Sequence, residues 1–323
     1  MSNTEQTVPL QEGVQLDHFT IIRRIGGGGF SVVYLATDNN SGEEVAIKEY
    51  LPYRLAYRDS DGVTICVREE GEKVQERFSH GRRLFFQEAS FLATLKHPNV
   101  VNVTGFFRAN QTVYMVMKYS VGVSLHSYIR KEKGGLSEAL IYKVFLPLLG
   151  GLAMVHDKGM IHLDIKPANI YLNHDFNPVL LDFGAVHPMF QTRQYQPGQV
   201  VTVGFTPYEQ SKIGGYVGPW SDLYAIGASM RCCITNDAPP SAEDRRMGDA
   251  EMRPMAESYK RRYSQRLLTA IDWALEVEPA VRPQSVAELV EALNREEVEE
   301  SAGSSIGRMF DSLVGKLSRQ ESK

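Results

Sequence analysis

Up to Ser120 the chain carries short apolar runs bounded by turn residues, and beyond it apolar residues recur mostly at helical spacing. Runs rich in Val, Ile, Tyr and Thr predict strands at FTIIRRI, SVVYLATD, EVAIKEYL, VVNVTGFF and TVYMVMKY. Within this first part, RLFFQEASFLATL (83–95) has the spacing of a helix with one apolar face. In the second part only short pieces, such as NIYL and PVLLDF, read as strands. The pattern predicts an α+β chain with a small strand-rich part and a larger helical part, and a cleft between two such parts commonly holds a ligand.

The two ends of the chain differ from the middle. Residues 1–17 are polar and predict a tail or a short added strand. The last clear helix begins at Ser285, with Glu288 three residues later as in a capping box. The segment 306–319 has apolar residues at helical spacing. It predicts a helix that packs on the body or on a partner; a helix on a membrane surface is the alternative, although its basic face is thin.

Composition narrows the class of protein. The 323 residues are 43% hydrophobic and 23% charged, as in ordinary globular proteins, and the net charge of -4 gives no sign of a nucleic-acid surface. The most apolar run, Val144–Val155, is interrupted by one proline and two glycines and is shorter than the roughly 20 residues that a membrane span needs. The first residues lack the pattern of a secretory signal. We therefore expect no transmembrane segment and a cytoplasmic location.

The cysteines also favour a cytoplasmic location. Cys66, Cys232 and Cys233 form neither a disulfide framework nor a spaced metal site, which favours a reducing compartment. The adjacent pair Cys232 and Cys233 would be redox-active if exposed. Because the pair lies in a segment with the pattern of a buried helix, we expect two buried thiols instead.

A glycine cluster and a lysine form the first candidate for chemistry. The cluster lies in IGGGGFSVVYLA (25–36) and joins two predicted strands; glycine lets backbone amides approach phosphate oxygens closely. Turns also collect glycine, so the cluster alone is weak evidence, but VAIK one hairpin later makes the order far more informative. Lys48 ends VAIK, where a lone charge in an apolar strand either reaches the surface or needs a partner. Glu88 on the predicted helix is the candidate partner.

Two further motifs place polar residues between apolar runs. IHLDIKPANI (161–170) contains Asp164, Lys166 and Asn169, and LLDFGA contains Asp182. Phosphoryl transfer needs metal ligands, cations on the phosphates and a group that orients the attacking hydroxyl. Asn169 and Asp182 offer the hard oxygen ligands that suit Mg²⁺, and Asp164 can accept a hydroxyl proton. Lys166, together with the strand lysine, supplies charge for phosphate.

These motifs together resemble the protein kinase family over roughly residues 18–297. The resemblance comes from GGGGFSVV, VAIK, a helix glutamate followed by LKHPNVV, HLDIKPAN, DFG, TVGFTPYEQ, SDLYAIG and a late RP, in the family's order and spacing. KEYLPYRLAYR and PYEQ are more similar to bacterial serine/threonine kinases than to animal ones. The resemblance implies the two-lobed kinase fold and a signalling enzyme that uses ATP and Mg²⁺ to phosphorylate serine and threonine hydroxyls of proteins.

The resemblance also implies a division of the chain into domains. A tail (1–17) precedes an N-lobe (18–119) that contains an insert at about 54–81. A C-lobe (120–297) follows, and then a tail (298–323) with the amphipathic helix.

Matching the motifs position by position implies a role for each candidate residue. Asp164 would be the catalytic base, Lys166 would contact the γ-phosphate, and Thr202 would bond to both. Lys48 would hold the α- and β-phosphates and pair with Glu88. Asn169 and Asp182 would hold Mg²⁺. The residues implied around ATP, apart from the lysine, are Ile25, Gly26, Gly28, Val33, Ala46, Met117, Tyr119 and Tyr171.

The resemblance also implies structural roles for three residues that support the site. Asp222 would anchor the catalytic loop from below. Glu209 and Arg282 would form the family's buried ion pair, although the motif around Glu209, PYE, has one residue more than usual.

The chain departs from the family at the residue before the catalytic aspartate. Many kinases have arginine there, and it grips a phosphorylated residue of the activation segment; this chain has Leu163. Leucine cannot hold a phosphate, so we predict that phosphorylation of 185–201 is not needed for activity. Smaller departures are Ser31 for the third loop glycine, Tyr171 under adenine and Lys118 in the hinge.

The spacing between Lys48 and Glu88 is 40 positions, about twice the family's usual gap. The extra residues include a predicted strand at 63–67 after an SDG turn. We interpret the insert as a regulatory or partner-docking element, with an inert surface elaboration as the alternative.

Two other functions remain open. A pseudokinase would bind nucleotide without catalysis, but every catalytic position is filled. A small-molecule phosphotransferase on a related fold is the second rival; Lys166, Thr202 and the PYEQ segment are more similar to a peptide-binding platform.

Overall fold

The N-terminal half of the protein is built on strands and the C-terminal half on helices in the computed structural model. A continuous cluster of buried apolar side chains runs through both halves. The α+β class and the two-part organisation predicted from the sequence are confirmed. The residues that the structure describes are 8–68, 71–132, 134–183, 187–189, 201–211 and 215–295.

The strands of the N-terminal half follow the apolar runs of the sequence. In chain order they are β1 (Gln15–Leu16), β2 (Phe19–Gly27), β3 (Ser31–Asp38), β4 (Glu44–Tyr50), β5 (Ala56–Arg58), β6 (Ile65–Val67), β7 (Val103–Ala109) and β8 (Thr112–Lys118). Six of them form an antiparallel sheet in the order β1-β2-β3-β4-β8-β7, and β5 and β6 form a separate hairpin. Of the two alternatives for the start of the chain, the described part of it forms a short added strand, because β1 pairs with β2.

A long helix, α1 (Glu72–Leu92), packs against this half of the protein. It begins 11 positions before the predicted 83–95, so the second part of the insert lengthens the helix. The first turns, EKVQERFSHG, have only Phe78 buried, and an apolar stripe is what a periodicity search needs. The predicted strand at 63–67 is shorter in the structure, at Ile65–Val67.

The C-terminal half contains most of the helices. Its elements are β9 (Gly122–Ser124), α2 (Leu125–Lys131), α3 (Glu138–Asp157), β10 (Met160–Ile161), β11 (Ile170–Asn173), β12 (Pro178–Leu180), β13 (His187–Pro188), α4 (Tyr208–Ser211), α5 (Pro219–Thr235), α6 (Ala242–Met247), α7 (Met255–Ser258), α8 (Gln265–Ala274) and α9 (Val286–Asn294). Short 3-10 turns lie at Pro167–Asn169 and Pro279–Val281. The helices pack on one another, and β9, β11 and β12 form a small sheet beside them.

Serine side chains cap several of these helices. The hydroxyls of Ser137, Ser264 and Ser285 accept hydrogen bonds from backbone amides three residues on, at the starts of α3, α8 and α9. Such caps satisfy amides that have no partner inside the helix. The predicted start of the last helix at Ser285 is confirmed, and the Glu288 carboxylate accepts from the backbone amide of Gln284.

Among the described residues, α3 is the one helix long and apolar enough to cross a membrane by composition. It packs against α5 and α9, and its residues Ile141, Phe145 and Leu152 are buried inside the protein. A core helix of this kind passes the same test of length and hydropathy, so the observation gives no support to a membrane span.

The adjacent cysteines lie in α5, and both are buried, as expected. Burial raises the pKa of Cys232 to about 11 and that of Cys233 well above its ordinary value. Oxidation proceeds through the thiolate, so this pair is unreactive in the folded protein.

Candidate active site

A lysine and two carboxylates from distant parts of the chain meet beside the central sheet. Nζ of Lys48 on β4 lies 3.3 Å from Oε1 of Glu88 on α1 and 2.7 Å from Oδ1 of Asp182 after β12. The Lys48 and Glu88 side chains are nearly buried, and that of Asp182 is 49% exposed. The predicted pairing of Lys48 with Glu88 is therefore present, and Asp182 adds a third charge to it.

The protonation of the three groups follows from burial and neighbouring charge. Burial would lower the pKa of Lys48, but the carboxylates of Asp182 and Glu88 raise it above its ordinary value. The Lys48 ammonium holds the pKa of Asp182 below its ordinary value. Burial raises the pKa of Glu88, although Lys48 opposes that change. Of the two acids, Glu88 is therefore the easier to protonate.

A second cluster surrounds Asp164 on the loop between β10 and β11. Nζ of Lys166 donates to both carboxylate oxygens, at 2.8 and 2.9 Å, and also to Thr202 Oγ1 at 3.2 Å. The Thr202 hydroxyl donates to Asp164 Oδ1 at 3.3 Å. The Asn169 amide donates to the backbone oxygen and to Oδ2 of Asp164, at 2.8 and 2.9 Å. These bonds hold the Asp164 carboxylate in one orientation.

The buried Asp222 at the start of α5 holds this loop from below, as the resemblance implied. Its carboxylate accepts from the backbone amides of His162 and Leu163, each at 2.8 Å, and lies 2.8 Å from His156 Nε2. Burial on its own would raise the pKa of Asp222, but the His156 hydrogen bond, the nearby histidines and the backbone hydrogen bonds lower it. The carboxylate therefore stays ionised and fixes two consecutive peptides ahead of Asp164.

His162 belongs to the site although the sequence analysis gave it no role. Its Nδ1 accepts from the Asp164 amide at 3.2 Å, and its Nε2 lies 3.1 Å from the Leu181 carbonyl, so the proton belongs on Nε2. Burial lowers the pKa of this imidazole. A neutral His162 thus joins the loop of Asp164 to the strand that leads to Asp182. The only signal in the sequence was its position inside the motif HLDIKPAN.

Leu163 fills a small apolar cluster. It is 4% exposed and packs with Ile161, Val217 and Met189, and its φ of 61° is rare for a leucine. Its amide bonds to Asp222, and its carbonyl accepts from Gln210 Nε2 at 2.6 Å. Hydrogen bonds on both sides of the residue therefore hold this backbone conformation, while the side chain faces apolar neighbours.

The implied ion pair between Glu209 and Arg282 is present and buried. The Arg282 guanidinium donates to both Glu209 oxygens, at 2.8 and 3.1 Å, and to the carbonyls of Glu276 and Val277. The Ser221 hydroxyl donates to Glu209 as well. The extra residue of the PYE motif does not prevent the pair from forming.

The residues expected around ATP lie along neighbouring strands and the connection after β8. The strand register places Gly26 opposite Val33, Val33 opposite Lys48, and Ala46 opposite Met117. Tyr171 on β11 donates its hydroxyl to the Ser120 carbonyl at 3.2 Å, and burial together with the nearby Tyr119 raises the pKa of Tyr171. Ile25 near the end of β2 and Gly28 just after that strand are both exposed. These residues border one face of the sheet and the connection to the C-terminal half.

The donor set fits a magnesium ion shared with phosphate. The amide nitrogen of Asn169 is occupied by Asp164, which leaves its carbonyl oxygen to face a ligand, and Asp182 uses one oxygen on Lys48. Within the described ranges, no group of three His, Cys, Asp or Glu side chains could hold a metal ion. An ion here would have two protein oxygen ligands and take the rest from phosphates and water, as magnesium at phosphate sites does.

Comparison with known proteins identifies the family. The protein kinase domain family matches residues 19–296, and the chain therefore belongs to the protein kinases. It is 31% identical to serine/threonine-protein kinase D of Synechocystis sp. and 30% identical to serine/threonine-protein kinase PknA of Nostoc sp., over 86% of this chain in both cases. The matches cover 52% and 47% of those proteins, so the chain spans about half their length.

A solved structure shows the same fold. The structure titled PpkA-294 apo form superposes with a TM-score of 0.78 and 33% sequence identity, covering 88% of this chain and 99% of that one. The predicted two-lobed kinase fold and the resemblance to bacterial serine/threonine kinases are both confirmed.

Proposed function

We propose that the chain transfers the γ-phosphate of ATP to serine and threonine hydroxyls of proteins, with Mg²⁺ bound by Asn169 and Asp182. The observation that carries the proposal is the convergence of Lys48 with Glu88 and Asp182, next to an Asp164 held by Lys166 and Thr202. Phosphoryl transfer depends on positioning and electrostatic stabilisation, and this arrangement supplies both.

Each residue has a distinct task in this mechanism. Lys48 neutralises phosphate charge, and Glu88 keeps its ammonium in place. Asp164 orients the incoming hydroxyl and accepts its proton on a carboxylate oxygen, while Lys166 balances negative charge beside it. The magnesium ion, when bound, neutralises charge on the phosphate oxygens.

The test is a transfer assay on the full chain with radiolabelled ATP, Mg²⁺ and casein as a generic substrate. Acid hydrolysis of the product should release labelled phosphoserine and phosphothreonine. Excess EDTA should abolish the label, and added Mg²⁺ should restore it. Label on tyrosine alone, or none at all with folded protein that binds ATP, would refute the proposal and favour a nucleotide-binding scaffold.

A Glu88→Gln variant separates activity from stability. We expect transfer to fall by about 10- to 100-fold, because Lys48 loses the partner that positions it. The folded protein should be no less stable near pH 7, because burial penalises the Glu88 carboxylate and Asp182 still pairs with Lys48.

The difference in unfolding free energy between the wild type and Glu88→Gln should change with pH. The pKa of Glu88 is raised by folding, so its contribution to stability is present at low pH and is lost as the pH rises through the folded value. Urea unfolding at several pH values should show the wild type gaining stability relative to Glu88→Gln as the pH falls from about 7 towards the ordinary glutamate pKa of about 4.3. A difference that stays constant over this range would contradict the assignment.

We also propose that the kinase works without phosphate on residues 185–201. The supporting observation is Leu163, whose side chain sits in an apolar cluster at the position where a phosphate-gripping cation would be needed. Most of the segment, including Thr192, lies outside the described residues.

Phosphatase treatment tests this independence. After treatment, with removal of phosphate verified by mass spectrometry, the chain should retain most of its initial rate. A Thr192→Ala variant should behave the same way. A rate that collapses after treatment and recovers on rephosphorylation would be the contrary result.

The insert is proposed to be a regulatory or partner-docking element. It is supported by the packing of β6 on α1 and by the backbone bond from Ile65 to Asn110. Both attach the hairpin to the helix that carries Glu88 and to the turn before β8.

The predicted helix at 306–319 lies outside the described residues. Its role in recruiting the chain to a partner or membrane stays a prediction, and so does the cytoplasmic location.

A further inference from the structure

A cavity of about 600 Å³ lies outside the candidate active site, between α1 and the turn that joins β7 to β8. The helix contributes Ser79, Arg82 and Arg83, and the strand side contributes Arg108 and residues 109–113. None of the residues assigned to the transfer reaction lines it. The cavity is therefore a separate feature on the same helix that carries Glu88.

The three arginines are brought together by helix spacing and by the hairpin. Ser79, Arg82, Arg83 and Phe86 recur at three- and four-residue intervals, so they share one face of α1. Arg82 donates to the Gln111 carbonyl at 2.8 Å, and the Arg108 guanidinium lies 4.6 Å from the centre of the Phe86 ring. These contacts hold two of the guanidinium groups in place.

The cluster carries positive charge without a matching acid. In the described part of the chain, neither Arg82, Arg83 nor Arg108 forms an ion pair with a carboxylate. The lining contains no aspartate or glutamate among its described residues. Three like charges around one cavity, in a chain whose net charge is -4, raise the free energy of the empty pocket and favour an anion.

We propose that this arginine pocket binds a peptide segment that carries phosphoserine or phosphothreonine. Guanidinium groups match phosphate oxygens through paired hydrogen bonds, and a phosphate ester presents nearly two charges and three acceptor oxygens. The cavity is larger than a single phosphate group, so it also admits residues that flank the modified one. The inference rests on the proposed function, because such a segment is the product of that reaction.

Binding of synthetic peptides to the full chain, measured by fluorescence anisotropy, tests the proposal. The probe has the sequence of residues 298–310 (VEESAGSSIGRMF). It was chosen because the two glutamates before its serines carry negative charge, which complements the arginines of the pocket. It is made in three forms: with phosphoserine at Ser304, unmodified, and with Ser304→Glu. We expect the phosphorylated form to bind at least about tenfold more tightly than the other two, the effect of one charge-assisted hydrogen bond. Equal binding of the three forms overturns the proposal.

Matched charge variants locate the site. The pocket triple variant, Arg82→Gln, Arg83→Gln and Arg108→Gln, should lose at least about tenfold in affinity for the phosphorylated probe. Equal loss in a second triple variant of the same net charge, made at arginines outside the cavity, would show unspecific charge attraction and overturn the proposal. That second variant replaces the exposed residues Arg77, Arg130 and Arg253 with glutamine.

A loss of binding must be distinguished from a loss of folding and from a failure of the transfer reaction. Urea unfolding verifies that each variant is folded, and the single variant Arg83→Gln, at an exposed position, serves if the pocket triple variant does not fold. Its binding should also weaken, and unchanged binding would count against the pocket. The probe is phosphorylated chemically, so this measurement succeeds or fails independently of the transfer assay.

Discussion

An Asp164→Asn variant is expected to lose about 10³-fold in the rate of phosphate transfer, the size of contribution that a positioned base makes. Asparagine has nearly the same shape but cannot accept the proton of the incoming hydroxyl. Its amide would also meet the donors of Lys166, Thr202 and Asn169, which now bond to carboxylate oxygens. The adenine-side residues are untouched, so the affinity for ATP should change little.

The measurement pairs the transfer assay with calorimetric titration of ATP. Asp175→Asn serves as the matched control, because that carboxylate is 65% exposed and outside the site. The control should retain the wild-type rate. An Asp164→Asn protein that retains nearly the full rate would show that the proton goes elsewhere.

The second large effect is expected on stability, at a buried ion pair behind the sheet. Glu49 on β4 and Arg58 on β5 have side chains that are 0% and 1% exposed, and the Arg58 guanidinium bonds directly to the Glu49 carboxylate. The hydroxyls of Tyr34 and Tyr114 donate to Glu49, each at 2.8 Å. Replacing Glu49 or Arg58 alone with leucine should cost about 3–5 kcal/mol of unfolding free energy, because the remaining charge is buried without its partner.

Urea unfolding of the two single variants and of Glu49→Leu/Arg58→Leu forms a double-mutant cycle. The double variant should be far less destabilised than the sum of the singles, because no charge is stranded. The exposed pair Arg246 and Glu278 gives the control, and Glu278→Gln should change stability by less than about 1 kcal/mol. Additive single effects would show that the two groups act independently.

Elements with a strong local pattern could be predicted from the sequence. The long strands of the sheet have β-branched and aromatic runs closed by turns, and the motif around Asp164 places three polar groups within six positions. The resemblance to kinases placed Lys48 and Asp182 around one nucleotide, but the direct contact between these residues, 134 positions apart, was not predicted.

Other features had no local signal. The first turns of α1 carry polar residues and lack an apolar stripe. From the sequence, no role was assigned to Glu49 and Arg58, since a buried charge is recognisable only when its partners are known. The arginine pocket combines one face of α1 with a strand some 25 positions later, a juxtaposition set by packing of the helix on the sheet.

The residues before β2 bear on how the protein can be shortened. Leu10 and Leu16 are buried, the Leu10 amide donates to Tyr34, and the Val8 carbonyl accepts from Arg58 Nε at 2.9 Å. A truncated form starting at Phe19, where the family match begins, would uncover apolar surface and take a bond from the guanidinium. Expression vectors and fusion tags for this protein should therefore keep the leading residues, because their contacts with the sheet lie upstream of the boundary that homology alone would suggest.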